Sequence, residues 1–356
     1  MGCRVLALVL GLSFLVAVGA VPAPPSLAAP PQAPAPRQGQ DSPPEKLMSW
    51  DQALLGARIY LGRLPKTMPG GENDTPERIA LGKKLYFERG ISLNKNKSCH
   101  DCHLLTKGRA GADITPTSKG ATGVFGKRNS PTVINAGFQS MQFWDGRARD
   151  LAEQAKGPIL NPIEMALKTP EDVLAHLRNL EGYPEAFRRA FPGVAEPLTY
   201  DHLAEAIAAF ERTLVAPAKF DQLLDGRESL FNAQEKRGLA KFIQYRCVEC
   251  HTWATVGGRL SHKMGQYHPY SDTEDPGRYE VTKKEEDRFV FKVPMLRNVA
   301  RTAPYFHDGK VATLEEAVRL MGWLQLDRKL TPGDIADLIA FLRTLDGNPP
   351  PVEEPK

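Results

Sequence analysis

Cys99-His100-Asp101-Cys102-His103 and Cys247-Val248-Glu249-Cys250-His251 are two complete C-x-x-C-H stretches in one chain. This is the attachment sequence of a covalent c-type haem. Its two thiols add to the vinyl groups of one porphyrin, and the histidine that follows binds the iron from the proximal side. The sequence therefore predicts two haems, with His103 and His251 as the iron ligands.

A C-x-x-C pair taken alone has other readings: half of a zinc site, a redox dithiol or a disulfide. A zinc site built from both pairs would join two distant segments and leave the histidine that follows each pair unexplained. The chain has 5 cysteines, and Cys3 is the only one outside the motifs. No pair is left for a structural disulfide, which also fits two haems.

The composition is that of a globular protein. The chain has 356 residues, of which 42% are hydrophobic and 25% charged, enough to bury one or two ordinary cores. The formal net charge is +4, the two signs are interspersed, and no long run of Lys or Arg could follow a phosphate backbone. Nucleic acid is not an expected partner.

Residues 1–28 are predicted to be a signal peptide. An apolar run from Val5 to Ala20 is followed by small residues suited to cleavage near Ala20 or Ala28. The run is shorter than the roughly 20 residues of a bilayer span, so an uncleaved anchor is the less favoured alternative. Haem attachment of this kind is completed outside the bacterial cytoplasm, so we expect the protein in the periplasm.

The remaining chain divides into four predicted parts. Residues 29–48 are rich in Pro and Ala and predict an extended linker, and residues 347–356 predict a polar tail. Between them the same order of parts occurs twice, which predicts an N-terminal domain at 49–218 and a C-terminal domain at 219–346.

Each domain is expected to begin and end with a helix. Thr75-Pro76 is a helix start that leads through Phe87 to the first motif, and residues 232–245 precede the second motif in the same way. The apolar spacing of residues 203–214 and 335–345 predicts two similar closing helices. Strand signals are few, so the predicted fold is mainly α, with two cytochrome c-like domains in tandem, each binding one covalent haem.

Several longer runs resemble the bacterial di-haem cytochrome c peroxidases. They are Pro131–Asn135, Phe143–Ala148, Glu153–Pro158, Asn161–Met165, Phe291–Asn298 and Ala303–Gly309. The resemblance covers roughly residues 50–346. The same superfamily includes the methylamine-utilisation enzyme MauG, which oxidises a precursor protein.

The resemblance implies unequal roles for the two haems. The haem at His103 would react with peroxide, and the haem at His251 would receive electrons. Gln154 and Glu164 match the family's distal amide and carboxylate. A carboxylate above an open iron can move a proton between the two peroxide oxygens as base and then acid, and an amide can orient the bound peroxide.

The same resemblance implies a relay and a cation site. Trp144 matches a tryptophan that lies between the haems, although a tryptophan is more often a simple core residue. Asn129, Thr302 and Pro304 match residues that bind calcium through one amide oxygen and two backbone carbonyls. So few protein ligands would leave several positions to water.

The second haem is expected to have a methionine as its distal ligand. Thr313 and Glu316 form a capping-box pattern, which predicts a helix that carries Met321 and ends at Gly322. Met321 matches the family's axial methionine, and sulfur ligation would raise the potential of the haem. Met264, His262 and His268, in the loop after the second motif, are the competing candidates.

One departure from the family pattern concerns the first haem. Most of these peroxidases have a histidine in a Ser-x-Gly-His segment, which covers the iron until the other haem is reduced. Here the segment is Ser118-Lys119-Gly120-Ala121, and there is no His between Leu104 and Ala175. We therefore expect an open peroxidatic iron that needs no reductive switch, beside a Gly-rich, mobile loop at 108–126.

These expectations favour a periplasmic di-haem peroxidase that reduces hydrogen peroxide to water. Its electron donor would be a small cytochrome c or cupredoxin. One alternative is a MauG-like oxidase, which shares an open haem but has Tyr in the place of Met321. Another is an electron carrier with two six-coordinate haems, for which a sixth ligand at the first haem is missing. Family members often form dimers, so a homodimer is also an expectation.

Overall fold

The computed structural model describes residues 46–106 and 109–355. The predicted signal peptide and nearly all of the predicted linker lie outside this part of the chain. The structure is rich in helix and has little sheet. Within these ranges, no helix combines the length and the hydropathy that crossing a membrane requires.

Twelve α-helices are formed by the described residues: α1 Trp50–Tyr60, α2 Pro76–Phe87, α3 Cys99–Cys102, α4 Leu151–Leu160, α5 Pro170–Asn179, α6 Tyr183–Ala190, α7 Tyr200–Arg212, α8 Lys219–Leu224, α9 Ala233–Gln244, α10 Tyr279–Thr282, α11 Leu314–Leu326 and α12 Pro332–Arg343. Short 3-10 turns lie at Gly71–Asn73, Ala136–Phe138, Glu228–Leu230, Cys247–Glu249, Glu285–Asp287 and Val299–Arg301. Strands β1 (Ser261–Lys263) and β2 (Val290–Lys292) pair antiparallel.

The helices before the two haem motifs begin where the sequence predicts. The Thr75 hydroxyl accepts a hydrogen bond from the backbone N–H of Arg78 at 3.2 Å, and a proline opens α2. At α9, the Asn232 side chain accepts from the backbone N–H of Glu235 at 2.9 Å. Each cap satisfies a donor that the first helical turn leaves free, so both helix starts are confirmed.

The same helix crossing occurs twice. Gly82 of α2 lies against α7, where an added Cβ would overlap the backbone oxygen of Ala206. Gly238 of α9 lies against α12, where an added Cβ would overlap the backbone oxygen of Asp337. Glycine at these two positions lets the helix backbones touch, and each crossing pairs a helix that precedes a motif with a closing helix.

A second repeated feature follows each haem motif. Asn135 and Asn298 both have a left-handed backbone, with φ of 61°. Their N–H groups donate to the carbonyl oxygens of Leu214 at 3.0 Å and Leu345 at 3.2 Å. Their side-chain oxygens accept from backbone N–H groups two residues beyond these leucines. The segment after each motif is thereby fastened to the end of its closing helix.

A third repeated feature is a tight turn that precedes α4 in the first half and α11 in the second half. Phe143 and Phe306 have positive φ values of 65° and 69°, and Gly146 and Gly309 follow three residues later with φ of 69° and 64°. Each turn is closed by an isolated β-bridge. The two turns end at α4 and α11, which therefore occupy equivalent places in the repeat.

The hydrophobic cores separate near residue 218, with one difference from the predicted boundaries. Three clusters contain residues between 81 and 216, and the fourth contains residues from 220 onward. That fourth cluster also includes Leu54, Ala57 and Leu61 from α1 and the residue after it. The apolar stripe of α1 therefore packs with α9 in the second half, although residues 49–218 were assigned to the first domain.

Two further expectations need correction. α11 does not end at Gly322 but continues to Leu326, where Asp327 takes a left-handed conformation with φ of 49°. The Thr313 hydroxyl caps the helix by accepting from the backbone N–H of Glu316 at 3.2 Å. The carboxylate of Glu316 does not complete a capping box, because it binds Arg319 at 2.8 Å.

The C-terminal segment is more than a polar tail. Val352 packs, together with Cys99, against the core cluster that contains Tyr86 and Phe210. The charge of Glu354 also raises the pKa of His100 slightly against the lowering effect of burial. Val352 and Glu354 therefore lie close to the first haem motif, whereas Gly347 and Asn348 bind Asn298 and Arg301.

Candidate active site

The first C-x-x-C-H forms the single helical turn α3. The N–H of Ser98 donates to the carboxylate of Asp101 at 2.8 Å, which closes the start of the turn. The Nδ1 of His103 lies 2.9 Å from the backbone oxygen of Pro131. A carbonyl can only accept, so Nδ1 donates, and Nε2 is left with its lone pair for a metal. Burial lowers the pKa of His103, which keeps the ring in the neutral, ligating form.

The second C-x-x-C-H repeats this arrangement with small differences. The N–H of His251 donates to the oxygen of Cys247 at 2.9 Å, and burial lowers the pKa of His251 to about 4. Its Nδ1 is directed toward the backbone oxygen of Pro294, which raises the pKa in part, but the contact falls short of hydrogen-bond geometry. Gly257 is required here, since a Cβ would overlap that oxygen.

Glu164 is positioned close to the first motif. Its Oε1 accepts a hydrogen bond from the Asn161 side chain at 3.0 Å. Burial raises the pKa of Glu164, while Arg147 and the Asn161 hydrogen bond lower it in part. The Glu164 charge in turn raises the pKa of the Cys102 thiol, which places the two groups near each other. A carboxyl with a raised pKa is suited to proton transfer near neutral pH.

Arg147 is a residue of this site that the sequence analysis missed. Its guanidinium lies over the Phe143 ring, 3.4 Å from the ring centre, and binds Asp145 at 2.8 Å. The charge of Arg147 favours the ionised form of Glu164. Arg147 lies within the Phe143–Ala148 run that resembles the family. That position could have indicated a role in the site, but only Trp144 of this run was predicted to have one.

Ala121 is buried where the family's gating histidine is expected. Its N–H donates to the backbone oxygen of Glu164 at 2.6 Å. Its own oxygen accepts from the side chains of Asn94 at 2.9 Å and Asn96 at 3.1 Å. The N–H of Gly126 donates to the oxygen of Ser118 at 2.9 Å. This part of the loop is thus closed on itself and tied to the Glu164 segment, and the mobility of the loop stays a prediction.

Gln154 lies on α4, half-buried, four residues after the helix cap Asp150. Counting eight residues from the caps of the two equivalent helices leads to Pro158 in α4 and to Met321 in α11. The first half therefore has a proline, which cannot ligate iron, where the second half has a methionine sulfur.

Met321 is half-buried on α11, and one of its competitors is engaged elsewhere. The Nε2 of His268 lies 2.7 Å from a carboxylate oxygen of Asp327, and its ring stacks on Trp323 with centroids 3.4 Å apart. The sulfur of Met264 is 3.9 Å from the side-chain nitrogen of Gln325, a weak contact. These contacts favour Met321 over His268.

Trp144 joins segments from both halves of the sequence. Its indole N–H donates to the backbone oxygen of Asn129 at 2.9 Å. Its own backbone oxygen accepts from the N–H of Lys292 at 2.6 Å. The ring lies edge-on to that of His307, with 6.3 Å between centroids. Its place between the N-terminal and C-terminal halves is compatible with a relay.

Among the described residues, no hydrogen bond joins the three predicted calcium ligands to one another. Asn129 is buried, and its side-chain nitrogen donates to the oxygen of Pro116 at 3.1 Å. Its backbone N–H donates to the oxygen of His307 at 2.7 Å, three residues beyond Pro304. The Thr302 hydroxyl donates to the oxygen of Val299 at 3.3 Å. The calcium site stays a prediction.

A different cluster of ligand-type side chains was missed. Potential ligand atoms of Asp272, His307 and Asp308 lie within 4.8 Å of one another. No spacing signal links Asp272 to the other two. Lys310 lies 3.4 Å from Asp272 and 3.7 Å from Asp308, and Tyr270 donates to Asp308 at 3.0 Å. The two carboxylates thus have partners within the chain.

The protein described so far is a helical c-type redox enzyme. It repeats one packing unit around a haem motif twice, and the first unit contains the buried carboxyl of Glu164, whose pKa burial raises. A model of the family described as di-haem cytochrome c peroxidase matches residues 76–229. Cytochrome c551 peroxidase of Pseudomonas aeruginosa is 44% identical over 290 residues, which cover 80% of this chain and 83% of that protein.

More distant relatives lie on the MauG side of the superfamily. The methylamine utilization protein MauG of Methylorubrum extorquens is 33% identical over 328 residues, covering 86% of this chain and 88% of that protein. The crystal structure of a MauG-like protein associated with microbial copper homeostasis aligns with a TM-score of 0.70 at 29% identity. It covers 80% of this chain and 93% of that one.

This chain belongs to the di-haem cytochrome c peroxidase and MauG superfamily, and it is an oxidoreductase of the cytochrome c peroxidase type. Membership implies two c-type haems. The residues present fit them: each motif has two cysteines outside any disulfide. Each also has a histidine kept neutral by burial, with Nδ1 directed at a backbone carbonyl.

Proposed function

We propose that this protein is a periplasmic peroxidase, in which hydrogen peroxide, two electrons and two protons give two molecules of water. The electrons come from a small soluble redox protein, either a small cytochrome c or a cupredoxin. The similarity to cytochrome c551 peroxidases at 44% identity supports the reaction. The apolar run in residues 5–20 supports export.

The proposed architecture is two cytochrome c-like domains in tandem, 49–218 and 219–346, with α1 packed on the second. The repeated helix crossings at Gly82 and Gly238 support it. So does the repeated fastening of each post-motif segment through Asn135 and Asn298.

The proposed haem ligands follow from the two motifs. Cys99 and Cys102 attach the first haem, with His103 on its iron. Cys247 and Cys250 attach the second, with His251 and Met321 on its iron. When bound, the haems supply the electron transfer and the cleavage of the O–O bond. Sulfur ligation at one haem alone gives the two haems different roles.

Proton handling is assigned to Glu164. Its carboxylate would accept a proton from one peroxide oxygen and return it to the other, which would then leave as water. Asn161 holds one carboxylate oxygen at 3.0 Å, and Arg147 moderates the raised pKa so that the ionised form remains accessible. Gln154 orients the peroxide through its amide.

Trp144 is assigned as the contact through which electrons pass between the halves. Its hydrogen bonds to segments on both sides support this role. Because the Trp144 indole N–H and the Trp144 backbone oxygen both form hydrogen bonds, the side chain keeps one orientation. A fixed orientation favours rapid electron transfer.

The observation that carries this proposal is the pairing of the Ala121 and Glu164 segments: the Ala121 N–H donates to the backbone oxygen of Glu164 at 2.6 Å, and Ala121 stands where a covering histidine is expected. The test is electron paramagnetic resonance of the fully ferric holoenzyme, together with peroxide turnover before any reduction. We expect a high-spin signal from the first haem and immediate turnover. A purely low-spin and inactive ferric enzyme would contradict the proposal.

A MauG-like oxidase is the second candidate, and the 33% identity to MauG favours it. Methionine at 321 favours an electron-accepting second haem instead. Electron counting separates the two. A peroxidase consumes two electrons of reduced donor protein for each peroxide, whereas an oxidase consumes peroxide at the expense of a separate substrate.

A further inference from the structure

Glu211 is a buried carboxyl with no role in the proposed reaction. It lies at the end of α7 with 4% of its surface exposed. Within the described residues, its Oε2 has no hydrogen-bond partner. A buried carboxyl oxygen without a partner destabilises the fold, and it does so more when it is ionised than when it is neutral.

In the second half, a leucine occupies the position that corresponds to Glu211. The closing helices end in Ala-Phe-Glu-Arg-Thr-Leu at 209–214 and Ala-Phe-Leu-Arg-Thr-Leu at 340–345. Leu342 takes the place of Glu211 and is buried to the same degree, at 5% exposed. Both follow the phenylalanine that packs at the glycine crossing. Packing alone favours leucine, so the carboxyl in the first half needs another explanation.

The surroundings of Glu211 lead to the first haem motif. Its charge raises the pKa of Tyr86 on α2 and of Cys99 in the motif. The Tyr86 hydroxyl donates to the backbone oxygen of His103 at 2.6 Å. Phe210, the residue before Glu211, packs against the Tyr86 ring with centroids 5.2 Å apart, and Cys99 packs against the core cluster that contains both rings. Glu211 therefore lies on a helix that packs beside the attachment site of the first haem.

The charged groups nearby do not neutralise Glu211. Arg212 on the same helix is bound to Asp74 at 2.6 Å and to Glu205 at 2.7 Å. On α4 and α5, Glu153 pairs with Arg149, Lys156 with Asp201, and the His176 ring contacts the oxygen of Gly90. On α2, Arg78 lies 3.9 Å from Asp74 and Lys84 donates to the oxygen of Glu181 at 3.2 Å. The remaining charged side chains of α2 and α5 are Glu77, Lys83, Glu171, Asp172 and Arg178. Burial raises the pKa of Glu211 to about 8, against a smaller lowering by Arg212.

We propose that Glu211 couples proton uptake to reduction of the first haem: its carboxylate binds one proton from solvent when that haem gains one electron, and releases it when the electron leaves. A negative charge held in a buried site opposes the arrival of an electron, and protonation removes that opposition. This inference rests on the proposed function only in placing a redox-active haem at His103. Glu211 acts through the haem's surroundings and touches no substrate.

The test is a redox titration of the holoenzyme between pH 6 and 9, in which each haem is followed by its absorbance. Because the pKa of Glu211 is about 8, the carboxyl is ionised before reduction only in the upper part of this range. There, for one proton taken up per electron, the first haem's potential falls by up to about 59 mV per pH unit, which is tenfold in the equilibrium constant, and below that pH it stays nearly flat. The second haem, which has Leu342 at the equivalent place, stays nearly flat. The variants Glu211→Gln and Glu211→Leu remove most of the first haem's slope.

The matched control is Glu205→Gln, which removes a carboxylate from the same helix and keeps the slope of the wild type. Glu211→Leu copies the residue of the second half, so it provides a folded variant if Glu211→Gln does not attach haem. A slope that persists in both Glu211 variants, or a wild-type first haem without any slope, would overturn the inference. Peroxide turnover is measured separately, so a Glu211-dependent slope without turnover would refute the proposed function and leave this inference standing.

Discussion

The two halves of the molecule share a backbone scheme and differ in a few side chains around the haem motifs. Both cross a pre-motif helix and a closing helix at a glycine, and both fasten the post-motif segment through a left-handed asparagine. They differ at Pro158 against Met321 and at Glu211 against Leu342. The features that the two halves share are those that the backbone conformation requires. The differences between the halves lie where a side chain can change the properties of a haem.

The comparison explains how one fold can host two functions. A glycine at a helix crossing cannot be replaced without moving two helices, so it is the same in both halves. A side chain near a haem can change without moving the backbone. In the proposed function, the first half uses this freedom for proton transfer by Glu164, and the second half uses it for the sulfur ligand Met321.

Glu164→Gln removes proton transfer from the first half and has the largest expected effect. Peroxide turnover should fall by about 10²–10⁴-fold, while the absorbance spectra of both haems stay close to the wild type. Because the working form is the ionised one and burial raises the pKa of Glu164, wild-type turnover should also decline as the pH falls through that raised pKa.

The control for this variant is Glu153→Gln, an exposed carboxylate on α4 that caps no buried group. It should leave turnover within about twofold of the wild type. Equal losses in the two variants would mean that the first half does not rely on Glu164, and the contrast between the halves would then rest on the iron ligands alone.

Local signals in the sequence were enough for the helix starts and the motifs. Thr75 and Asn232 cap their helices as expected because a cap depends on its own next three residues. The predicted end of α11 at Gly322 was wrong. Gly322 does not end the helix, and glycine is required there because an added Cβ would overlap the side chain of Leu330. Tertiary packing explains the glycine at this position, and a local sequence pattern does not show such a packing contact.

The site was only partly predictable for the same reason. Glu164 and Ala121 were both identified, but their backbone hydrogen bond joins segments more than forty positions apart. The similarity of the closing helices was noted from the sequence, yet the importance of Glu211 became clear only with its burial and its neighbour Cys99. The assignment of α1 to the second core likewise needed the packed structure.

The second prediction tests whether the two helix crossings are equivalent. Gly82→Ala and Gly238→Ala should each lower the free energy of unfolding by roughly 3 kcal/mol, because the added methyl forces the helix backbones apart. Gly333→Ala, on α12, is the matched control, since an added Cβ there would lie 3.8 Å from the Thr331 hydroxyl, an ordinary contact distance. It should change stability by less than about 0.5 kcal/mol.

Thermal unfolding of the holoenzyme, followed by circular dichroism, measures all three glycine variants. Two destabilised crossing variants beside an unchanged Gly333→Ala would support the shared scheme. A stable Gly82→Ala or Gly238→Ala protein would show that the corresponding half does not depend on backbone contact at this crossing.

The smallest expected effect concerns the sulfur that distinguishes the second half. Met321→Ala makes the distal helix of the second half resemble α4, which has Pro158 at the same place. The potential of the second haem should fall by on the order of 100 mV, a modest part of the roughly 0.8 V that axial ligands span. A redox titration that follows each haem by absorbance measures this, and the first haem should not change. Met264→Ala is the control, and a fall in that variant with none in Met321→Ala would move the ligand to the loop after the second motif and remove the contrast between α4 and α11.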